Sequence, residues 1–448
     1  MIFLVLLLTT AVIAAIGVFC VLDGSGDIFH PLVLIGPMMI FLYTWMPWKL
    51  YMNGGLARFF DYHQMLYIAT LNLLGVLAFV GCCLAVGVRS VPRRNIRMKL
   101  SPTVCRRLLL GGAVAGSFGL LCWAVTIVNV GGFVNAYSSS YSGGWDDSGY
   151  IRDGSILLLV GVSAAMLSRS AGGPRWPAYS MMLIFGLPWL AAALLMARRG
   201  PTFELAMFGM MSWYVNRKKR PPVVALGLAG VFLGWLVLFL VTNRGSIYIG
   251  SSFNVKTDVS NIVESSDTGN EWIYGAGTVL SSERRDHYFW MRRYLAQILV
   301  RPIPSAVWPN KYVDFGVPEL LHNAGTGEGF GDTLGWKGAD GSAPGIVADL
   351  WVEVWWFAVP FMGVLGWLYG WVWKKSVTLG GPWASQLIVL NAISIYLVMQ
   401  TMEAVIFRSL LLSIPSWLMW KYARGQEPQR NRRLADRRSS RREVPVLT

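Results

Sequence analysis

The chain has 448 residues, of which 54% are hydrophobic and only 14% are charged, whereas soluble domains carry about 25% charged residues. This composition excludes an ordinary soluble protein, and the recurring apolar runs are each close to the ~20 residues that span a bilayer as a helix. The runs lack the alternating pattern of a transmembrane barrel. The sequence therefore predicts an all-α polytopic membrane protein.

The net charge of +15 is concentrated beside the apolar runs. Residues 88–107 hold seven Lys/Arg and no acid, 217–220 are four consecutive cations, and the tail from Lys421 holds nine basic and three acidic residues. The positive-inside rule explains these clusters as cytoplasmic anchors. No nucleic-acid-binding motif accompanies them, so we expect no nucleic-acid partner. The five cysteines show neither a disulfide framework nor zinc-ligand spacing.

We predict about eleven transmembrane helices (10–12), with short runs at 154–167 and 202–215. The predicted spans are 2–22, 32–48, 65–87, 108–130, 154–167, 176–197, 202–215, 223–241, 351–373, 386–401 and 409–422. The basic tail places the C-terminus inside, and counting back places 23–30 inside as well. However, 23–30 contain two acids and no Lys or Arg, which favours the outside, so the topology of the first 65 residues is left open.

This organisation divides the chain into four parts: N-terminal transmembrane helices (1–241), a large periplasmic loop or lid (242–350), C-terminal transmembrane helices (351–422) and a basic cytoplasmic tail (423–448) that we expect to be disordered. The loop holds nine Lys/Arg and twelve Asp/Glu. Its many aromatic residues argue against disorder. Within it, the helical periodicity of 281–300 predicts one amphipathic helix lying at the membrane surface.

Two Arg-Gly turns end predicted spans on the outer side. Arg198 and Arg199 precede Gly200-Pro201, and Arg244 precedes Gly245. Arginines at helix ends commonly do no more than extend their charged groups into water. However, arginines on the outer side oppose the usual bias of positive charge toward the cytoplasm. A guanidinium group makes two-point contacts with phosphate or carboxylate. The two turns are therefore candidates for binding one anionic headgroup.

The loop and its end carry further candidates. The segment RPIPSAVWPNK has three prolines, which forbid a regular helix, so we expect an extended strap in which Arg301 and Lys311 flank Trp308. The same segment is equally consistent with a packed loop. His322 opens a glycine-rich stretch and could act as a general base near neutral pH, although loop histidines often have no such role. Asp349 and Glu353 share one helix face, where a structural and a catalytic role are both open.

The order of these parts resembles the Wzy-type oligosaccharide repeat-unit polymerases of bacterial surface polysaccharides and, more distantly, the O-antigen ligases. Those proteins have many spans and one long late periplasmic loop. Their Ser/Gly-Arg-Gly turn is similar to 198–201, and their P-R-x-x-W-P-x-K-P-like segment is similar to 302–312, with the core Trp308-Pro309-Asn310-Lys311. The stretch DGSGDIFHP and the pair Asp349 and Glu353 before an apolar glycine-rich helix also fit. Arg198 replaces the expected serine, which leaves open which arginine of this turn is functional.

The resemblance implies a GT-C-like architecture in the bacterial inner membrane and a metal-independent glycosyl transfer between polyprenyl-pyrophosphate-linked oligosaccharides. It implies no cofactor, and as partners the lipid-linked substrates, membrane lipid, a flippase and a chain-length regulator of the same pathway. We expect Arg199 and Arg244 to stabilise the departing diphosphate and His322 to act as the base. Asp349 or Glu353 is the alternative base. Arg198, Arg301, Trp308 and Lys311 are expected to bind substrate.

Three other functions are kept open by the sequence. A ligase that attaches glycan to another acceptor has nearly the same pattern. A polyprenyl-phosphate-sugar-dependent GT-C glycosyltransferase uses acidic residues in its first external loop, which Asp23 and Asp27 imitate, and a metal requirement would favour it. A lipid-linked oligosaccharide flippase or transporter would place charges at mid-membrane and show repeat symmetry, and neither is evident.

Overall fold

The computed structural model describes residues 1–22, 27–87, 100–138, 149–195, 199–217, 221–243, 249, 271–304, 307–317, 343–399 and 401–425. This part of the chain is helical and contains no β-strand. In chain order the α-helices are α1 (Ile2–Leu22), α2 (Pro31–Ile40), α3 (Met46–Met52), α4 (Tyr62–Gly87), α5 (Pro102–Asn129), α6 (Phe133–Ala136), α7 (Gly149–Gly154), α8 (Leu157–Ser170), α9 (Arg175–Leu195), α10 (Arg199–Tyr214), α11 (Val223–Thr242), α12 (Glu271–Arg285), α13 (Arg292–Leu295), α14 (Lys311–Asp314), α15 (Gly345–Val354), α16 (Ala358–Leu379), α17 (Pro382–Ala392), α18 (Ser394–Met399) and α19 (Met402–Arg424).

The prediction of a helical membrane protein is confirmed. Within the described ranges, eight helical stretches are long and apolar enough to cross a bilayer: Ile2–Phe19, Pro31–Met52, Tyr62–Val86, Pro102–Asn129, Ile151–Ser170, Arg175–Leu195, Gly345–Leu379 and Met402–Arg424. The runs predicted at 202–215, 223–241 and 386–401 are also helical, as α10, α11 and the pair α17–α18, but they are not among these eight. The count of eleven spans therefore stays a prediction.

Contacts between helices define two ends of the bundle. At one end, the Ser168 hydroxyl of α8 donates to the Cys105 carbonyl oxygen of α5 over 3.0 Å, and Gly111 of α5 packs on Met419 of α19. We call this the basic end, because the helix termini there carry Arg106, Arg107, Arg175, Arg217, Lys374, Lys375, Lys421 and Arg424. At the opposite end, Gly119 of α5 packs on Leu158. We call that the loop end, because α12, α13 and α15 lie there.

Two long helices pack at very short range through glycines. A Cβ on Gly366 of α16 would lie 1.9 Å from the Phe79 carbonyl oxygen of α4, and one on Gly370 would lie 2.4 Å from the Cys83 carbonyl oxygen. These pairs advance along both helices together, so α4 and α16 are parallel. Small residues of this kind let transmembrane helices approach closely where lipid offers no hydrophobic driving force.

The second predicted span is a single crossing with a π-helical turn at Phe41–Trp45 between α2 and α3. It starts beside Trp373, whose ring lies 5.1 Å from that of His30, and it reaches Val347 at the loop end, where the Tyr43 hydroxyl accepts from the amide over 3.4 Å. Residues 27–30 therefore lie toward the basic end. This agrees with the count of spans relative to the end of α19, but residues 23–26 lie outside the described residues and the side of the membrane that the stretch 23–30 faces stays a prediction. Asp27 closes a local turn by accepting from the Phe29 amide.

The single amphipathic helix predicted over 281–300 is also wrong. Helix α12 ends at Arg285, and α13 begins only at Arg292 and continues as a π-helical turn, Ala296–Val300. Between them, Asp286, Trp290 and Met291 have positive φ. The Phe289 amide, which a continuous helix would use internally, donates to the Val352 carbonyl oxygen of α15 over 2.8 Å. A tertiary hydrogen bond thus overrides the helical periodicity.

Candidate functional site

Three of the residues predicted to act on substrate lie outside the described residues: Arg198, Arg244 and His322. Arg199 is described only as the first residue of α10. Their roles therefore stay predictions. Trp308, Lys311, Arg301, Asp349 and Glu353 are described, and they lie with other charged groups at the loop end of the bundle.

Asp349 and Glu353 form a buried clamp around an arginine. The Arg293 Nε donates to Glu353 Oε1 over 2.7 Å, and the Arg293 Nη2 donates to Asp349 Oδ1. Asp349 Oδ2 also accepts from the Tyr294 hydroxyl at 2.6 Å and from the Met402 amide at 2.8 Å. The clamp therefore joins the long loop, α15 and the first turn of α19.

Burial and charge fix the protonation of the clamp. Burial by itself lowers the pKa of Arg293, but Asp349 and Glu353 raise that pKa well above its ordinary value. Burial first, and the charge of Asp349 second, raise the pKa of the Tyr294 hydroxyl well above its ordinary value. Arg293 therefore stays charged and Tyr294 stays a neutral donor. Both carboxylates of α15 are fully buried and bound to protein groups, an arrangement that favours the structural alternative, while their predicted contact with substrate remains untested.

A half-buried polar row runs beside the clamp. The Gln297 Nε2 donates to Glu403 Oε1 over 2.8 Å, and the Arg301 Nη1 donates to Gln297 Oε1 over 2.9 Å. Arg301 also pairs through Nη2 with Asp153, and its guanidinium lies 3.9 Å from the centre of the Phe407 ring. The row thus connects α7, the π-helical turn after α13, and α19.

A second ion pair continues this layer toward the start of α10. The Arg408 Nη1 donates to Glu204 Oε1 over 3.1 Å, and the Arg408 guanidinium lies 4.0 Å from the centre of the Tyr396 ring. A Cβ on Gly200 would lie only 1.9 Å from the Tyr396 hydroxyl oxygen. The backbone directly after Arg199 is therefore in contact with the residue on which Arg408 stacks.

The described parts of the strap are held by its own lysine. Lys311 is 1% exposed, and its Nζ donates to the Arg301 carbonyl oxygen over 3.2 Å and to the Ile303 carbonyl oxygen. The Trp308 Nε1 donates to Asp314 Oδ2 over 2.5 Å. These contacts favour the packed-loop alternative for Lys311, because the described geometry directs its ammonium group at the chain and not at solvent.

Sequence reasoning missed Arg293, Tyr294, Glu204 and Arg408. Glu204 and Arg408 carried a usable signal, since both lie in or beside apolar runs, where ionisable residues are costly and usually functional or paired. Arg293 and Tyr294 had no such signal, because they lie in a loop whose course was unknown. Trp355, which follows α15, has a φ of 52°, an uncommon conformation for a bulky residue of the kind that concentrates at functional sites.

No protein-family model matches this chain, and no curated protein or solved structure is detectably similar to it.

Proposed function

We propose that this protein polymerises polyprenyl-pyrophosphate-linked oligosaccharide repeat units into a surface polysaccharide. In the reaction, the bond between the reducing-end sugar of the growing chain and the lipid diphosphate breaks. A new glycosidic bond forms to a hydroxyl of another lipid-linked unit, whose proton passes to a base. The activated donor supplies the free energy, so neither a nucleotide nor a metal is needed.

The observation that carries this proposal is the meeting of arginine-bearing segments at the loop end. The contact between Gly200 and Tyr396 joins the start of α10, which follows Arg198 and Arg199, to Arg408 of α19. Arg301 stacks on Phe407, the neighbour of Arg408. Guanidinium groups can stabilise the charge that grows on a departing diphosphate, and Arg301 and Arg408 lie in this layer with the backbone of Gly200 beside them.

The course of α11 supports a place for Arg244 at the same end. Helix α11 follows α10 after a short connection, so its end at Thr242 returns to the end where α10 begins. Ile249 is hydrogen-bonded through its amide to the Tyr137 carbonyl oxygen, 3.2 Å away. Tyr137 lies beyond the loop end of α5. Arg244 itself lies outside the described residues, between these two positions in the sequence.

The proposed roles follow from the chemistry of each side chain. Arg199 and Arg244 bind the diphosphate, assisted by Arg198, and His322 accepts the proton of the acceptor hydroxyl. Trp308 offers an aromatic face to a sugar ring, and the strap excludes water from the two lipid-linked sugars. The clamp around Arg293 holds the loop in place above this site.

The proposal also implies where the protein lies in the cell and which proteins work with it. The basic end faces the cytoplasm, as the positive-inside rule requires, and the loop end faces the periplasm of a bacterial inner membrane. The substrates then reach the site from the outer leaflet. A flippase that delivers them and a regulator of chain length are the expected partners in the pathway.

A reconstituted assay tests this proposal. Purified protein in liposomes is supplied with lipid-linked oligosaccharide, and the product is separated by size. We expect a ladder of polymer without added metal or nucleotide, and a loss of about 100-fold or more for Arg199→Ala and Arg244→Ala. Arg175→Ala is the matched control, because this exposed arginine starts α9 at the basic end.

Other outcomes would replace the proposal. A product of one length with unaffected variants would indicate a ligase. A strict requirement for a divalent cation would indicate a polyprenyl-phosphate-sugar glycosyltransferase. Movement of the lipid-linked oligosaccharide across the bilayer without any new glycosidic bond would indicate a flippase.

A further inference from the structure

Arg408 is a charged residue in the second turn of α19, directly before the long apolar stretch of that helix, where an ionisable side chain is costly. Its partner Glu204 lies on α10, 204 residues earlier in the chain. A buried pair of this kind adds little net stability compared with apolar residues of similar size. Stability alone therefore does not explain why the pair is present.

The two members of the pair are exposed to very different degrees. The Glu204 side chain is 0% exposed and that of Arg408 is 29% exposed. The guanidinium is therefore the member of the pair that stays partly exposed. In the neighbouring pair the same order holds, with 25% for Arg301 and 17% for Asp153.

Glu204 and Tyr396 also hold the guanidinium of Arg408 in a fixed orientation, and they use only some of its N–H donors. Glu204 binds Nη1, and the ring of Tyr396 covers one face. Among the residues that the structure describes, no acceptor is bound to Nε or Nη2 of Arg408. Adjacent N–H groups on a planar, pre-oriented fork suit two-point contact with a phosphate group.

We propose that Arg408, oriented by Glu204 and Tyr396, is a phosphate-binding residue that receives a lipid-linked phosphate at the loop end. Given the function proposed above, on which this assignment of the ligand rests, the phosphate belongs to the polyprenyl diphosphate. Arg408 then acts together with the arginines proposed above to bind the diphosphate. A phosphate of a bilayer phospholipid has the same chemistry, and the experiment distinguishes the two sources.

The experiment measures binding directly, without the polymerase reaction. Protein in a neutral detergent is titrated with farnesyl diphosphate, with farnesol as the uncharged control, and with phosphatidylglycerol. We expect the wild type to bind farnesyl diphosphate and not farnesol. Arg408→Gln should weaken binding about tenfold or more, since hydrogen bonds to charged groups are the strong ones, and Arg408→Lys should lose part of the affinity. Arg175→Gln at the basic end should bind like the wild type.

A double variant separates binding from folding. Arg408→Gln alone leaves the buried Glu204 without its cation, so it can lose binding by misfolding. Glu204→Gln combined with Arg408→Gln removes the pair without leaving a buried charge. We expect the double variant to unfold at a temperature close to that of the wild type and still to bind the diphosphate about tenfold more weakly or worse.

Each result decides a different question. Wild-type affinity in the folded double variant would overturn the inference, as would a wild type that binds neither phosphate ligand. Arg408-dependent binding of phosphatidylglycerol but not of farnesyl diphosphate would support a phosphate site and count against the proposed substrate. Arg408-dependent diphosphate binding in a protein that makes no polymer would likewise uphold the inference and reject the polymerase.

Discussion

Arg293 donates a hydrogen bond to Asp349 from a position 56 residues earlier in the chain, and the same guanidinium also binds Glu353. This contact joins the long loop to the helix that leads back into the membrane. It also changes the interpretation of the two acids, since the described structure presents them to an arginine and a tyrosine of the loop.

Removing the cation of the clamp should destabilise the protein. Arg293→Ala leaves two buried carboxylates uncompensated, which costs about 3–5 kcal/mol in comparable pairs. Thermal unfolding in detergent, followed by tryptophan fluorescence, measures the loss. The adjacent Arg292 is exposed, so Arg292→Ala should change stability by about 0.5 kcal/mol or less. If Asp349→Asn unfolded like the wild type and yet bound no substrate, a direct role in substrate binding would be the better explanation.

Adding one methyl group to Gly200 should displace the start of α10. The new Cβ would lie 1.9 Å from the Tyr396 hydroxyl oxygen and 2.6 Å from the ring carbon that bears it. We expect Gly200→Ala to cost about 1–3 kcal/mol and to reduce polymer formation strongly, because the turn with Arg199 moves.

The control for this prediction is Gly227→Ala in α11, where nothing lies within 4 Å of the added Cβ. This variant should keep full activity. Combining Gly200→Ala with Tyr396→Phe removes the hydroxyl oxygen from the collision and should restore part of the lost stability. Normal activity of Gly200→Ala alone would show that the position of this turn does not matter.

We expect Lys311 to stabilise the conformation of the strap. Its Nζ binds two carbonyl oxygens of residues 301–303 from a buried position, and an unsatisfied buried group costs about 1–3 kcal/mol. Lys311→Met should therefore speed hydrogen exchange in the amides of residues 301–317. Lys421→Met, an exposed change at the basic end, should leave exchange unchanged. Unaltered exchange together with lost activity would instead indicate that Lys311 binds substrate.

His30 should make stability fall in mild acid. It caps α2 by accepting the Leu32 amide on Nδ1, and burial lowers its pKa from 6.5 to about 4. Above pH 6.5 neither state binds the proton, whereas between pH 6.5 and 4 only the unfolded state does, so stability declines as the pH falls through this window. The full effect is about 3.5 kcal/mol, since each pKa unit corresponds to ~1.4 kcal/mol.

The variant His30→Asn isolates this effect. Asparagine is a good N-cap residue and does not titrate, so α2 should keep its first turn. The unfolding temperature of this variant should fall less between pH 6.5 and 4 than that of the wild type. An equally steep decline in both proteins would assign the acid sensitivity to other groups.

The helical fold could be predicted because the signal is local. Around twenty apolar residues must form a helix in lipid, where no other structure satisfies the backbone. The basic clusters at 88–107 and 217–220 similarly indicate one end of the bundle from the sequence alone. The two acids at 23–30 are a weaker guide, because Asp27 is used in a local turn, and the side of the membrane that this stretch faces stays a prediction.

The site was only partly accessible to sequence reasoning. Arg301 and Lys311 could be singled out by the proline-rich segment that they flank, and Asp349 and Glu353 by their shared helix face, but their partners could not. Arg293 meets Asp349, and Arg408 meets Glu204, across 56 and 204 residues. The hydrophobic periodicity within a segment carries no information about such long-range contacts.

The sequence by itself therefore determined that the chain is a bundle of membrane helices with clusters of cations beside them, because hydrophobicity and charge act residue by residue. Only the tertiary structure decided which charges are buried in pairs and which stay partly exposed. That outcome depends on how glycines such as Gly366 and Gly200 let particular helices approach, and a buried charge is tolerated only where the approaching helix supplies its counterion.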